Sequence, residues 1–292
     1  MQIGLLGFGE AGAAMASTLL ALPHVSVFAY DHQYLDAASR DARAGDLEVS
    51  LLASPAALAQ SADVIISVVT ADEAKSAALS LLPFLQAGHV FFDGNSVSPG
   101  TKQAISASFN AHDCQYVDLA IMAPIHPRGH KTPMLVSGPD EAEICKILSK
   151  LHFAYEWRGT AIGDASTVKM LRSILIKGME SLVCECVTAA EGLGLDTEIL
   201  TSAGKTLHID DMPALADYVM ERAAVHGRRR AAEMREVAKT LSEMALSNHL
   251  ATAIAAHQDM VADMQLSDMF DGDVPRDRAQ LAHSMRTAQK AD

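Results

Sequence analysis

The sequence predicts an α/β fold with a doubly wound parallel sheet, followed by an all-α C-terminal domain. Up to residue 157, short apolar strands alternate with helical patterns, which is typical of parallel sheets covered by helices on both faces. From Gly163 onward no convincing strand pattern appears, and helical periodicities follow one another instead. We therefore predict a boundary near residue 162, with domains at residues 1–162 and 163–292.

The composition excludes several classes of function. The chain of 292 residues is long enough to bury a sizeable core, and its formal net charge of −13 would repel nucleic acid and anionic membranes. No apolar run approaches the roughly 18 residues of a membrane span, and the start has no basic leader pattern, so we expect a cytoplasmic protein. The four cysteines lack the spacing of metal ligands, and we predict no metal site.

The first strand and the first helix are joined by a glycine-rich turn. Residues 3–6 are apolar and residues 13–20 favour a helix, which is the context in which a G-x-G-x-x-G pattern binds a dinucleotide. The first glycine allows the tight turn, the second allows close approach of the pyrophosphate, and the third allows the helix to pack on the strand. The phosphates then face the helix N-terminus. The predicted binding residues are Gly7, Phe8, Gly9, Glu10, Ala11 and Gly12.

An acidic residue follows the second predicted strand. Residues 25–30 form this strand, and Asp31 comes next, about 20 residues after the glycine turn. A carboxylate at this position accepts hydrogen bonds from the adenosine ribose and repels a 2′-phosphate. The sequence therefore favours NAD over NADP as the cofactor, with NADP as the alternative.

Polar residues also follow the strands at residues 64–69 and 89–93. Ligands of parallel sheets bind beyond the carboxyl ends of the strands. We therefore expect the nicotinamide half of the cofactor to lie beside Thr70, Asn95 and Ser96. An alternative role for this region is capping of the next helix, by Thr70 or by Ser98 with Pro99 at the first helical position.

A loop at residues 122–133 follows a further strand at residues 116–121. The loop is rich in proline, histidine and cations, so it suits contact with an acidic substrate. His126 and His130 could also suggest a metal, but no carboxylate or thiolate neighbours them at ligand spacing. We interpret the two histidines as polar surface residues.

The all-α domain begins with a helix that carries a lysine in its first turns. Apolar residues recur every three or four positions after residue 166, and Lys169 and Ser173 lie four apart, on a shared side. A cation is disfavoured near the positive end of a helix dipole. Lys169 therefore indicates either an anionic group nearby or a lysine kept partly neutral, unless its side chain simply extends into solvent.

A basic run occurs in the third predicted helix, at residues 213–245. His226, Arg230 and Glu233 share one face at helical spacing. One interpretation is a solvated face on which Glu233 pairs with Arg229 or Arg230. Another is an anion site formed by the arginines, because Gly227 interrupts a helix that has no evident need of glycine. The charged end of the chain, from residue 271, is expected to be loosely held.

Together these motifs resemble the β-hydroxyacid dehydrogenase family, which includes the 3-hydroxyisobutyrate and 6-phosphogluconate dehydrogenases. The glycine turn is similar to the family's dinucleotide fingerprint, and residues 163–173 are similar to its glycine-flanked lysine motif. The run from Lys169 to Ser173, with the basic run of the third helix, resembles a branch with an uncharacterised 6-phosphogluconate-dehydrogenase-like C-terminal domain. The resemblance implies a Rossmann-type N-terminal domain and a homodimer formed through the helical domain.

The family resemblance also implies an activity. It predicts hydride transfer between a nicotinamide and the carbinol carbon of a small anionic hydroxy acid or oxo acid. Lys169 would exchange the proton, and Ser173 would replace the usual asparagine. The family's serine and two glycines of the substrate loop are here Met122, Ala123 and Pro124. The predicted substrate-binding residues are Met122, Ala123, Pro124, Arg172, His226, Arg230 and Glu233.

Two other functions remain open at the level of the sequence. An imine reductase uses the same two-domain architecture with a different proton donor. A protein that senses nucleotides without catalysis would need the glycine turn but not the lysine.

Overall fold

The structure, a computed structural model, describes residues 1–34, 36–110, 112 and 114–289. The chain forms two compact units, Met1–Met170 and Leu171–Asp292. Each unit has its own hydrophobic core. Within the described residues, no helix is both long and apolar enough to cross a membrane.

The N-terminal unit contains a sheet of eight strands in the order β3-β2-β1-β4-β5-β6-β7-β8. The strands are β1 (Gln2–Leu6), β2 (Ser26–Tyr30), β3 (Ser50–Leu51), β4 (Val64–Ser67), β5 (Val90–Asp93), β6 (Gln115–Ile121), β7 (Met134–Ser137) and β8 (Tyr155–Gly159). The helices of this unit are α1 (Glu10–Leu19), α2 (Ala37–Ala44), α3 (Pro55–Ser61), α4 (Ala74–Leu81), α5 (Pro99–Phe109) and α6 (Glu141–Lys150), and short 3-10 helices occur at Leu82–Phe84 and Gly129–Lys131.

The predicted α/β class is confirmed, with one exception to the parallel pattern. β4 and β5 are buried along their whole length, as expected for strands with helices on both faces. β7, however, pairs antiparallel with β6. The reason is the connection at residues 122–133, which contains only a 3-10 helix and not the crossover that a parallel neighbour requires.

All strands of the described residues lie before Gly163, as predicted. The helices that follow are α7 (Asp164–Glu191), α8 (Asp196–Leu207), α9 (Met212–Glu243), α10 (His249–Asp263), α11 (Leu266–Met269) and α12 (Arg278–Gln289). α7 begins within the residues of the N-terminal unit and continues into those of the C-terminal unit.

The prediction of a loosely held end from residue 271 is wrong for residues 278–289, which form α12. α12 buries Leu281, Ala282 and Met285 in the core of the C-terminal unit. Arg278, at its first position, forms ion pairs with Asp196 at 3.2 Å and Asp217 at 3.1 Å. The segment is rich in charged residues, so the three apolar residues that share one helix face were not recognised as a helix pattern.

Candidate functional site

The glycine turn has the geometry expected of a dinucleotide site. Gly7 has a φ of +98°, a conformation that L side chains rarely adopt. A Cβ at Gly12 would overlap the carbonyl oxygen of Gly7, so the start of α1 packs directly on the turn. A Cβ at Gly9 would meet no atom within 4 Å, which leaves room for a phosphate at the N-terminus of α1. The turn therefore fits a dinucleotide, and each glycine has the place that its spacing predicts.

Asp31 and Arg43 hold the glycine turn from the side of β2 and α2. Asp31 Oδ2 accepts a hydrogen bond from the backbone N–H of Phe8 at 2.8 Å, and its Oδ1 accepts one from Gln33 N at 2.9 Å. Arg43 donates from Nε to the carbonyl oxygen of Phe8 and from a terminal nitrogen to that of Gly9, both at 2.9 Å. The Arg43 guanidinium lies 5.4 Å from the centre of the Phe8 ring.

Sequence reasoning missed Arg43. It lies near the end of a polar helix with no local motif, and its contacts depend on how α2 returns to the turn. Its positive charge lies beside the turn that is expected to bind a pyrophosphate.

Asn95 joins the ends of two neighbouring strands. Its Oδ1 accepts from the backbone N–H of Val69 at 2.7 Å, and its Nδ2 donates to Ser67 Oγ at 2.9 Å. The side chain is almost fully buried, and Asn95 N donates to Asp93 Oδ1 at 2.9 Å. Asn95 thus fixes the backbone where β4 and β5 end, next to Ser96.

Of the two predicted caps, only one is found. Ser98 Oγ accepts from Thr101 N at 3.1 Å, and Pro99 begins α5, as predicted. Thr70 is exposed and does not cap α4, because that helix begins only at Ala74 with Glu73 as its N-cap residue. Thr70 lies three residues after the end of β4, with its side chain exposed.

Lys169 and Ser96 lie in direct contact. Lys169 Nζ donates a hydrogen bond to Ser96 Oγ at 2.6 Å, and both residues are half-buried. Lys169 comes from the first turns of α7, and Ser96 comes from the segment after β5. Two residues that were predicted separately, one as catalytic and one beside the nicotinamide, therefore meet in the N-terminal unit.

The first turn of α7 is capped by side chains from the sheet. Gly163, which precedes the helix, has no side chain to cap it, so the free N–H groups need other acceptors. Asp118 Oδ2 accepts from Gly163 N at 3.2 Å and from Ser166 N at 2.9 Å. Ser137 Oγ accepts from Ala165 N at 3.2 Å.

A buried lysine contacts the same aspartate. Lys102 is fully buried, and its Nζ donates to Asp118 Oδ1 at 2.7 Å, to the carbonyl oxygen of Asp93 at 2.7 Å and to that of Leu119 at 3.2 Å. The Asp93 carboxylate accepts a short hydrogen bond from the Tyr116 hydroxyl. Burial, followed by the negative charge of Asp93, raises the pKa of Tyr116 well above its usual value.

The predicted substrate loop is attached to α1. A Cβ at Gly129, where φ is +54°, would overlap Thr18 Oγ1. His130 donates from its backbone N to Thr18 Oγ1 at 3.1 Å, and its Nδ1 lies 2.8 Å from the same oxygen. Met122 and Ala123 are half-buried at the start of the loop, and Pro124 is exposed.

The interpretation of His130 as a surface residue is wrong. Its side chain is buried, with the ring 5.4 Å from that of Phe153. Burial lowers the pKa of His130 from 6.5 to about 4, and the nearby charge of Lys131 adds to this. His130 is therefore a neutral, internal residue at ordinary pH. His126 is exposed, as expected, and the described residues contain no cluster of three or more groups that could bind a metal.

In the C-terminal unit, Ser173 belongs to a charged cluster. Lys177 Nζ donates to Ser173 Oγ at 3.1 Å and pairs with Glu233 Oε2 at 2.8 Å. Ser173 and Lys177 are buried, and Glu233 is half-buried. The structure therefore brings two of the predicted site residues, Ser173 and Glu233, to one lysine.

A second ion pair of this unit lies deeper. Arg230 pairs with Glu180 at 2.7 Å, and the two side chains are 9% and 2% exposed. Burial raises the pKa of Glu180, while the charges of Arg230 and Lys177 oppose this rise. Burial likewise lowers the pKa of Arg230. The interpretation of a solvated face is wrong for Arg230, because α9 turns this residue inward.

Packing explains the glycine in the basic run. A Cβ at Gly227 would lie 2.8 Å from the carbonyl oxygen of Gln258 and 2.9 Å from Ala262 Cβ, so α9 and α10 approach closely there. The argument for an anion site from this glycine is therefore wrong. Arg228 is exposed and pairs with Asp259 and Asp263. His226 is half-buried, and Arg172 is exposed.

Comparisons with known proteins agree with this fold. Residues 2–145 match the NAD binding domain of 6-phosphogluconate dehydrogenase, and residues 190–261 match a domain of unknown function, DUF1932. A conserved hypothetical protein from Sinorhizobium meliloti 1021 is 32% identical, with a TM-score of 0.75 over 99% of this chain and 96% of that one. The conserved protein MTH1747, of unknown function and described as structurally similar to 3-hydroxyacid dehydrogenases, is 31% identical, with a TM-score of 0.70 over 91% of this chain and 98% of that one.

More distant enzymes share the fold alone. The 3-hydroxyisobutyrate dehydrogenase of Mycobacterium tuberculosis, solved with L-serine, is 17% identical, with a TM-score of 0.71 over 98% of this chain and 99% of that one. A reductive aminase from Aspergillus terreus, solved with NADPH, is also 17% identical, with a TM-score of 0.56 over 96% and 97% of the two chains.

The glycine turn, the sheet order and the matched domain define an NAD(P)-binding protein with a dehydrogenase fold. The chain belongs to the β-hydroxyacid dehydrogenase family, in the branch whose C-terminal domain is DUF1932.

Proposed function

We propose that the protein is an NAD(P)-dependent oxidoreductase that interconverts a small hydroxy acid and the corresponding oxo acid. The observation that carries this proposal is the 2.6 Å hydrogen bond from Lys169 Nζ to Ser96 Oγ. It places an amine and a hydroxyl beside the carboxyl end of β5, where ligands of parallel sheets bind.

The cofactor would lie along the glycine turn, with its pyrophosphate at the N-terminus of α1 and its ribose at Asp31. Thr70, Asn95 and Ser96 would surround the nicotinamide half, with Asn95 acting by its shape because its side chain is bonded within the fold. When bound, the nicotinamide supplies or accepts the hydride. We propose NAD as the preferred form because of the Asp31 carboxylate.

Lys169 would exchange the proton of the reacting oxygen. When the oxo acid is reduced, the Lys169 ammonium would donate a proton to the forming alcohol. In the oxidative direction the neutral amine would take up the hydroxyl proton. Ser96, already bonded to Nζ, would orient the amine toward the reacting oxygen.

The substrate residues are carried over from the family pattern. We propose that Ser173 donates a hydrogen bond to a substrate oxygen and that Arg172 attracts the substrate carboxylate. Met122, Ala123 and Pro124 would line the site where relatives have a serine and two glycines. His226, Arg230 and Glu233 complete the proposed set. Arg230 already pairs with Glu180, so it would act through this ion pair and not as a free charge.

Other parts of the proposal concern assembly and location. We propose a homodimer formed through the helical domain, residues 163–292, with the dinucleotide domain at residues 1–162. Exposed apolar side chains on α7, Leu175 at 76% and Leu182 at 67%, support this assembly. The expected location is the cytoplasm, with no nucleic-acid or membrane partner.

The likeness to a reductive aminase supports a second candidate, reduction of an imine. Lys169 favours carbonyl chemistry, because a lysine of this kind serves as the acid and base for an alcohol. A sensing protein without catalysis is the remaining alternative.

One series of measurements separates these functions. Fluorescence titration with NADH and NADPH is followed in the same samples by hydroxy acids, oxo acids and oxo acid–amine mixtures. Turnover of hydroxy or oxo acids alone supports the proposal. Turnover only with an amine present supports imine reduction, and binding without any turnover supports a sensing role.

A further inference from the structure

Lys102 occupies an unusual position for a lysine. It is fully buried in the N-terminal unit, although lysine is among the residues least often buried. An ammonium group has three N–H donors, and Lys102 Nζ has three oxygen acceptors, which are Asp118 Oδ1, Asp93 O and Leu119 O. A charge so fully bonded inside a domain constrains the positions of all the groups around it.

One branch of this network leads to the helix of Lys169. Asp118 bonds to Lys102 through Oδ1 and accepts from Gly163 N and Ser166 N through Oδ2. The Ser166 hydroxyl donates to the same Oδ2 at 3.0 Å. The start of α7 is therefore attached to β6 through one carboxylate, and Lys169 follows within the next turn.

The other branch leads to Ser96. Lys102 Nζ contacts the carbonyl oxygen of Asp93 at the end of β5, and the Asp93 carboxylate accepts from Asn95 N. Asn95 is in turn bonded to the end of β4. The ammonium group of Lys102 therefore also fixes the segment that carries Ser96.

We propose that Lys102 is a positioning residue for Lys169. It joins the start of α7 to the end of β5, and so it determines the distance between Lys169 Nζ and Ser96 Oγ. The expected effect on turnover rests on the proposed function. The expected effect on the contact between Lys169 and Ser96 does not, because this contact exists without substrate. A misplacement of about 1 Å at a reacting group can lower a rate by about 100-fold, so such a link is important for a proton donor.

The test uses a variant that removes both buried charges and keeps the volume, Lys102→Met/Asp118→Asn. The reaction rate of the Lys169 amine with an acylating reagent is measured across pH by peptide mass spectrometry, in the protein without substrate. We expect acylation of Lys169 in the variant to be at least about fivefold faster than in the native protein, because the amine loses its fixed contact with Ser96. Exposed Lys75 serves as the internal reference in each sample.

Two further variants serve as controls. Ser96→Ala removes the partner of Lys169 directly, so it should produce the same change, and its combination with the double variant should add little. Arg278→Met breaks the ion pairs of α12 in the C-terminal unit, so it should lower stability without altering acylation of Lys169.

The possible results lead to distinct conclusions. Acylation of Lys169 at the native rate in a folded double variant would overturn the positioning role. A second variant, Lys102→Gln, keeps an N–H donor but loses the charge, and it should give an intermediate rate. If neither variant folds, as judged by circular dichroism, Lys102 serves the stability of the fold and the positioning role is rejected.

Turnover is measured separately. With a substrate found by the screen described above, the double variant should lose about tenfold or more in kcat, with little change in the KM for NADH. If acylation changes as expected while even the native protein turns over no substrate, the proposed function fails and the positioning inference stands.

Discussion

Glu180 and Arg230 form an ion pair at 2.7 Å inside the C-terminal unit, where neither side chain is more than a tenth exposed. Both charges lose their hydration when they are buried. Such an ion pair therefore stabilises the folded state no more than well-packed apolar residues of similar volume would. Loss of one partner is a different matter, because the remaining buried charge loses its direct ion-pair partner.

We therefore expect Arg230→Met to lower the free energy of unfolding by about 3–5 kcal/mol. Urea denaturation followed by circular dichroism measures this loss. Arg228→Met is the matched control, since the Arg228 side chain is 66% exposed, and its loss should cost less than about 1 kcal/mol. Equal effects of the two substitutions would contradict the buried pair.

The pH dependence of stability should include a contribution from His130. Its pKa is about 4 in the folded protein against an ordinary value of 6.5, so the unfolded chain binds more protons between these values. The stability that comes from the neutral ring is therefore fully present above pH 6.5 and is lost as pH falls toward 4. The loss amounts to at most about 3.5 kcal/mol, at about 1.4 kcal/mol for each pKa unit.

Replacement of this histidine tests the assignment. His130→Gln should flatten the dependence of the unfolding free energy on pH between 4 and 6.5, whereas His126→Gln, at an exposed position, should leave it as in the native protein. Urea denaturation at several pH values provides the measurement. An unchanged slope in His130→Gln would show that this histidine is not responsible.

Lys169→Ala tests the proposed proton donor. Removal of a general acid or base typically lowers a rate by 100-fold to 10,000-fold, so kcat should fall by at least about 100-fold. The affinity for NADH, measured by fluorescence, should stay within about twofold, because the dinucleotide site lies at the glycine turn. Lys146→Ala, on α6, controls for the loss of a lysine. Turnover within tenfold of the native rate would exclude Lys169 as the catalytic group.

Asp31→Ser tests the preference for NAD. The substitution removes the carboxylate that would repel a 2′-phosphate, while Arg43 remains near the turn. The ratio of the Kd for NADPH to that for NADH should fall by at least about tenfold, or about 1.4 kcal/mol. Both values are obtained by fluorescence titration, with Asp36→Ser, at the N-cap of α2, as the control. An unchanged ratio would show that Asp31 does not select the cofactor.

The sequence allowed the dinucleotide turn and the position of Lys169 to be predicted, because both depend on short local patterns. The roles of Lys102 and Asp118 could not be predicted in the same way. These residues belong to different elements, and their contact depends on β5 and β6 being neighbours in the sheet. The side chain of a lysine in a helix is ordinarily exposed to solvent, and only the structure shows that Lys102 is buried.

The errors have a common physical cause. His130 and Arg230 are polar residues in polar stretches, and their burial follows from partners far away in the chain, Thr18 and Glu180. α12 was missed because its polar residues outnumber the three apolar ones that enter the core. Local patterns predict elements well, but they do not reveal which polar side chains will find a buried partner.

Gly129 packs against Thr18 of α1 and His130 bonds to it, so the far end of the loop at residues 122–133 is fixed to α1. On the proposed function, this loop would be a fixed wall of the substrate site and not a lid that opens and closes with each catalytic cycle. The middle of the loop, at His126 and Arg128, is exposed, so substitutions there should not disturb α1. On the proposed function, substitutions at these positions would change the choice of substrate while the dinucleotide domain is retained.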